Sequence, residues 1–305
     1  MGHTRAAVRC HPPLLLLLLS FLLGGVPVTE AGVSVYTFTP LDVPFAGALD
    51  TVAYGINSSG QIVGTYFDSK RGKIRGFFDD GGVVRAIDVP FPKVSYLLCL
   101  CGINDSKDIV GEYVGTNGEG HAFLDHENTG VFKIIDFPGA IASGTFGINN
   151  GGQIVGDYRD STRRLHGFLR TGGQYRTIDV PGFHTGAQGI NSTGWIVGGF
   201  YDRTGKEHGF LYRAGQYRTI DVPGASSTEL EGINNQGQIV GVYWNSRGAM
   251  RGVLYSEGIL QAIKVPFRGA SDTGAYGIND QGQIVGVYSD RKGDHGFIAT
   301  PAGDR

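Results

Sequence analysis

The sequence predicts an all-β fold, a six-bladed β-propeller with four antiparallel strands per blade, on three observations. The tripeptide Gly-Ile-Asn recurs six times, turn signals cut each repeat into four short segments, and the composition is rich in glycine and poor in charge. The repeats start at Gly55, Gly102, Gly147, Gly189, Gly232 and Gly277, spaced by 47, 45, 42, 43 and 45 residues. A period of about 40–45 residues with four strands per unit is that of a propeller blade; solenoid coils are shorter or helical. The 305 residues include 51 glycines with no collagen-like period, 41% hydrophobic residues and 18% charged ones, enough for a core threaded by many tight turns.

Four strands per unit follow from the turns. The first strand ends in Gly-Ile-Asn, and the Asn-x-x-Gly that follows reads as a tight turn, with Asn able to bond its own backbone and Gly to take positive φ. The second is Gln-Ile-Val-Gly-x-Tyr, seen at 61–66, 153–158, 238–243 and 283–288. Adjacent Ile and Val make both of its faces apolar, as a sheet sandwiched between neighbours requires. A polar turn such as Asp160–Arg164, Asp202–Gly205 or Asp290–Gly293 leads to His-Gly-Phe, the third strand. The fourth, Tyr-Arg-Thr-Ile-Asp-Val-Pro at 175–181 and 217–223, ends at a proline that cannot donate to a ladder.

The last unit stops at Gly296-Phe297-Ile298-Ala299 and lacks a fourth strand, whereas Val35–Pro44 is an orphan strand carrying Leu41-Asp42-Val43-Pro44, the counterpart of Ile178-Asp179-Val180-Pro181. The N-terminal strand is therefore expected to complete the sixth blade and leave no open edge. Ahead of it, Arg5 and Arg9, the apolar run Leu14–Leu23 and the small residues of Gly24–Ala31 form a signal peptide over 1–31, which leaves 32–305 as one domain. The apolar run falls short of the ~20 residues needed to span a bilayer. A secreted or periplasmic chain without membrane insertion, and a monomer, is expected. Its net charge of −2 with scattered basic residues argues against nucleic acid as a partner.

The units Gly-Ile-Asn-x-x-Gly-x-Ile-Val-Gly and His-Gly-Phe resemble the HAF repeats of secreted bacterial proteins, over essentially the whole mature chain. The resemblance implies export and a repeat fold but no defined activity, so it carries no functional residues over. Ala122 replaces the glycine of His-Gly-Phe in the second unit, and Arg75 and Arg251 stand where His is expected.

The repeated polar residues read as scaffold. His121, His166, His208 and His295 recur one per blade on the third strand, so equivalent positions stand more than about 10 Å apart around the ring, too far for a metal that binds at 2.0–2.1 Å. Each is expected to hydrogen-bond within its own blade, a role Arg can share. Asp42, Asp88, Asp136, Asp179 and Asp221 lie on the outermost strand and read as solvating or turn-capping groups; carboxylates acting together on a glycoside need to sit about 5–10 Å apart. The asparagines Asn57, Asn104, Asn149, Asn191, Asn234 and Asn279 read as turn formers, without the alternating carboxylates of a calcium loop. Cys99 and Cys101, two apart in an extended strand, would separate their Cα atoms by about 6.6 Å, long for a bridge, so two reduced thiols are expected.

Function is sought where the copies differ. Immediately before Gly-Ile-Asn stand Tyr54, Cys101, Phe146, Gln188, Glu231 and Tyr276, expected to ring the channel mouth. With Asp272 from a blade connection, Tyr54, Phe146, Gln188, Glu231 and Tyr276 form the candidate ligand-binding set, and aromatic, amide and acid groups in a concave rim suit a sugar or small polar ligand. No nucleophile motif such as Gly-x-Ser-x-Gly occurs, and no catalytic residue, metal site or cofactor is assigned. The reading is a secreted non-catalytic binding or surface-interaction propeller that presents a variable loop face to a glycan or extracellular protein. The alternatives are a propeller hydrolase or lyase acting at the channel mouth and a purely structural envelope protein.

Overall fold

A computed structural model describes residues 36–302; the expected signal peptide and cleavage site lie outside the described residues. The first strand is β1 (Tyr36–Leu41). Blade 1 follows with β2 (Ala48–Ile56), β3 (Ile62–Asp68), β4 (Lys73–Asp80) and β5 (Val83–Ile87), and blade 2 with β6 (Val94–Ile103), β7 (Ile109–Gly115), β8 (Gly120–Asp125) and β9 (Phe132–Ile134). Blade 3 holds β10 (Ala142–Ile148), β11 (Ile154–Arg159), β12 (Leu165–Thr171) and β13 (Gln174–Ile178). Blade 4 holds β14 (His184–Ile190), β15 (Ile196–Tyr201), β16 (Glu207–Arg213) and β17 (Gln216–Thr219). Blade 5 holds β18 (Ser227–Ile233), β19 (Ile239–Trp244), β20 (Met250–Ser256) and β21 (Ile259–Ile263). Blade 6 holds β22 (Asp272–Ile278), β23 (Ile284–Ser289) and β24 (Asp294–Pro301). Every sheet is four-stranded and antiparallel, with consecutive strands paired in blades 1 to 5.

Closure is as the orphan strand predicts. β1 pairs antiparallel with β24, Tyr36 opposite Pro301 and Leu41 opposite Gly296, so blade 6 takes its outermost strand from the start of the chain. The packing closes the same ring. Val63, Val110, Val155, Val197 and Val240 of the repeated Ile-Val pair each join the apolar cluster of the following blade, and Val285 of blade 6 packs with Ala53 and Ile56 of blade 1. All six are fully buried, each contributing about 1.5–3 kcal/mol of hydrophobic stabilisation. The third strands fill the spaces between sheets with Phe77, Phe123, Phe168, Phe210, Val253 and Phe297.

The disc has two faces. One carries the Asn-x-x-Gly turns and the connections between third and fourth strands; the other carries the blade connections and the turns between second and third strands. On the first face the asparagines are more than turn formers. Each Oδ1 accepts backbone N–H bonds of its own turn, as Asn234 does from Gln236 and Gln238. Each Nδ2 also donates to the carbonyl of the corresponding Asn in the next blade. The bonds run 57→104→149→191→234→279→57 at 2.9–3.2 Å, a closed hydrogen-bonded ring of buried side chains.

The cysteines correct an expectation. Cys99 and Cys101 form a disulfide, with Cα atoms 5.1 Å apart. The estimate for an extended strand failed because β6 breaks register at Leu97/Cys99 and again at Leu100/Gly102, and such bulges shorten and bend the strand between the two residues.

Candidate functional site

The inner strands β2, β6, β10, β14, β18 and β22 each break register at one equivalent place: Ala53/Gly55, Leu100/Gly102, Thr145/Gly147, Ala187/Gly189, Leu230/Gly232 and Ala275/Gly277. The skipped residues are Tyr54, Cys101, Phe146, Gln188, Glu231 and Tyr276. Each skipped residue is therefore a β-bulge, a device that takes a side chain out of the pleat and re-aims it. The glycine after it lets the strands converge: a Cβ on Gly55, Gly102, Gly147, Gly189, Gly232 or Gly277 would lie 2.6–3.1 Å from the carbonyl of the bulged residue in the next blade. Six equivalent bulges thus carry side chains of five kinds around one channel. They sit next to the Asn ring, in the channel body, and not in the blade connections.

Their contacts divide the ring into an aromatic and a polar side. Tyr54 and Tyr276, from blades 1 and 6, bring their ring centroids to 5.3 Å. Tyr276 folds back over Gly274 of its own strand, and Phe146 over Gly144, the glycine leaving room for the ring in both cases. Opposite, Gln188 Nε2 donates to Glu229 Oε1 across the blade 4–5 boundary at 2.9 Å. Burial, and secondarily Glu207, pushes the Glu231 carboxyl up to about 8, so it is mostly protonated at neutral pH. Asp272 is not brought into this group. It opens β22, four residues and ~13 Å of extended chain from Tyr276, and its carboxylate accepts from the Met250 N–H at 2.8 Å and the Ser271 hydroxyl at 3.2 Å. Arg251 lies 3.7 Å from it. It ties blade 5 to blade 6.

Sequence reasoning missed the acids of the second and third strands that stand behind the bulges. Glu112 on β7 lies where a Cβ on Gly120 or Gly144 would meet its carboxylate, and burial raises it well above the usual carboxylate range, with Asp157 adding repulsion. Burial also raises the Tyr201 hydroxyl, with Glu207, Glu229 and Asp157 reinforcing the shift. Among the described residues no group of three or more His, Cys, Asp or Glu could hold a metal ion. A signal for these acids was present in the variable position of Gln-Ile-Val-Gly-x-Tyr, which reads Thr65, Glu112, Asp157, Val242 and Val287 in the blades that keep the final tyrosine.

The repeated His and Asp are one structure. His121, His166 and His208 pair through Nδ1 with Asp136, Asp179 and Asp221 at 2.8, 2.6 and 2.6 Å. His295 pairs with Asp42 at 3.0 Å, and in blade 1 Arg75 binds both oxygens of Asp88 at 2.9 and 2.7 Å. Those acids are thus partners of the third-strand His or Arg and not turn caps. Turn acids Asp160, Asp202 and Asp290 hold the other ring nitrogen of His166, His208 and His295 at 3.2–3.3 Å. Tyr113, Tyr158, Phe200 and Tyr288 stack on the four rings. The partners in each clasp come from its own blade, the arrangement of a structural group.

Solved structures similar to this chain are propellers. A mutant of AofleA from Arthrobotrys oligospora matches 92% of this chain and 94% of its own, at 13% identity and a TM-score of 0.54. The Aleuria aurantia lectin AAL, in complex with Fucα1-6GlcNAc, matches 85% of this chain and 97% of its own, at 13% identity and a TM-score of 0.50. A Hadza microbial sialidase matches 83% of this chain at 12% identity and a TM-score of 0.53, this chain covering 66% of it. At such identities the likeness shows the fold alone. No family model matches the sequence, and neither does any curated protein. Fold and topology together define a six-bladed β-propeller closed by its N-terminal strand. No helix among the described residues is long and apolar enough to cross a membrane.

Proposed function

We propose that this propeller is a secreted, non-catalytic binding module of the HAF-repeat type that recognises a glycan through its channel. One observation carries the reading: six equivalent bulges hold side chains of five kinds, with Tyr54, Phe146 and Tyr276 offering rings and Gln188 and Glu231 offering hydrogen-bonding groups. A repeat that keeps the backbone device constant while changing what it displays is suited to recognition. Aromatic faces with a few convergent polar groups suit sugars, which present apolar C–H patches beside hydroxyls. A lectin among the fold neighbours agrees with binding but does not assign it.

The test is a glycan array with the purified mature chain and its double variant Glu231→Ala/Tyr276→Ala. Binding by the parent that the variant loses, at an unchanged melting temperature, supports the site; binding kept by the variant removes it, and a blank array returns the weight to a protein partner or an envelope scaffold. A second reading, a hydrolase or lyase, is favoured by the Glu231 carboxyl at about 8, a protonated acid of the kind general acid catalysis uses. Turnover of 4-nitrophenyl glycosides by the parent and not by Glu231→Gln would establish it.

A further inference from the structure

A groove of ≈ 370 Å³ lies on the Asn face between blades 5 and 6, at the opposite end of the blades from the variable connections. Its walls come from the β20–β21 turn (Ser256 and Glu257), the second residue row of blade 5 (Gln238), the Asn turn of blade 6 (Gln281) and the closing pair Tyr36 and Pro301. Trp195 occupies in blade 4 the position of Gln238 in blade 5. Its indole lies 3.1 Å from where a Cβ on Gly237 would stand, carries the Arg213 guanidinium 4.1 Å above it, and packs into the blade 4–5 core. Blade 5 keeps the glutamine usual to the repeat, as Gln61, Gln153 and Gln283 do, and so has no indole at this place.

The lining is chemically sorted. Asp280 and Gln236 are fixed as walls: the Asp280 carboxylate accepts from the Asn235 N–H at 2.9 Å and its amide at 2.6 Å, and the Asp280 carbonyl accepts from Gln236 Nε2 at 3.1 Å. Gln238 Oε1 accepts from Asn234 at 2.7 Å, which orients its Nε2 as a remaining donor. The Gln281 amide, the Ser256 hydroxyl and the Glu257 carboxylate line the groove with no hydrogen bond to other described residues. Tyr36 and Pro301 supply ring surfaces. We infer that this inter-blade groove is a saccharide site, separate from the channel, that takes one neutral pyranose. Its volume falls within the range of small-molecule pockets, and its donors, acceptors and ring faces match the alternating hydroxyl and C–H surface of a pyranose. Glu257 and Asp280 disfavour an acidic sugar, and the fixed walls reduce the ordering cost of binding.

Saturation-transfer NMR titrations with the methyl pyranosides of glucose, galactose and mannose, and with N-acetylneuraminic acid as the anionic control, test the site. At least one neutral glycoside is expected to bind and the acidic sugar not to. Gln238→Trp, which fills the gap as Trp195 does, and Glu257→Ala, an exposed turn residue whose loss does not threaten the fold, should each weaken that binding about tenfold or more, the equivalent of one decade in Kd. Run in the Glu231→Ala/Tyr276→Ala background, which disables the channel, the titration should still detect this groove binding. Neutral glycoside binding that survives both groove substitutions, or that is lost only in the channel variant, overturns this site while leaving the channel reading standing. Absence of binding by all three glycosides, or preference for the acidic sugar, overturns it as well.

Discussion

Two ionisable side chains make the protein's stability depend on pH in the same direction for different reasons. The His208 pKa is raised, first by its bond to Asp221 and further by Asp202. A cation favoured in the fold contributes stability that is complete below its ordinary value of about 6.5 and disappears as pH rises through the folded value. Glu231 is raised to about 8 by burial and by Glu207, so the fold favours its neutral form; that advantage is present below about 4.5 and is lost as pH climbs towards 8. The substitutions separate them. Glu231→Gln is neutral at every pH and should raise the denaturation midpoint above the parent's at pH 9 while changing little at pH 4. His208→Gln should lower the midpoint at pH 6 and converge with the parent above the histidine's folded value. Urea titrations at three pH values read both, and parallel curves for parent and variant would refute the assignment for that residue.

Among the elements, β1 is the one whose removal distinguishes a closed ring from an open stack. It supplies the fourth strand of blade 6 through pairing from Tyr36/Pro301 to Leu41/Gly296, and Tyr36 and Phe38 pack against the blade 6 core. A chain starting after Leu41 would expose the whole edge of β24. It should lose ten degrees or more of melting temperature, on the scale of about 4–8 °C per kcal/mol for small domains and less for larger ones, and should self-associate through the bare edge. Light scattering and thermal melts of the truncated chain decide this; a monomer as stable as the parent would show that the ring does not depend on the strand. The closure was legible because Leu41-Asp42-Val43-Pro44 repeats a motif found elsewhere. The bulges were not. Nothing in Tyr54, Cys101, Phe146, Gln188, Glu231 or Tyr276 announces a skipped partner, because the bulge follows from the glycine contacts between blades and not from the residue that occupies it. The same hidden kinks defeated the distance argument for Cys99 and Cys101. The His–Asp clasp was legible in principle: His121, His166 and His208 are followed by an Asp 13–15 residues on, His295 takes Asp42 from the closing strand's end, and Arg251 coincides with Lys264 in the blade that lost the acid.

For the molecule as a whole, the repeated core and the Asn ring make six blades one cooperative unit. Asn191 is 4% exposed; its Nδ2 donates to the Asn234 carbonyl and its Oδ1 accepts from the N–H groups of Thr193 and Trp195. Asn191→Ala strands those three partners and should cost about 2–3 kcal/mol, on the basis of the penalty for buried groups left unsatisfied. Because each blade buries its Val only against the next, the loss should move the transition without splitting it. Coincident denaturation curves by far-UV dichroism and tryptophan fluorescence are expected for parent and variant alike; two separated transitions in the variant would mean that blades unfold singly.

The pairing of β1 with β24 also sets a constraint in time. A ribosome makes β1 before the five consecutive blades and its partner β24 after them, with some 250 residues between the two. Until the final segment emerges, the nascent chain can stack blades but cannot join its two ends. The native ring can therefore close only once β24 has been made, and until then the edge of β1 lacks the strand it pairs with.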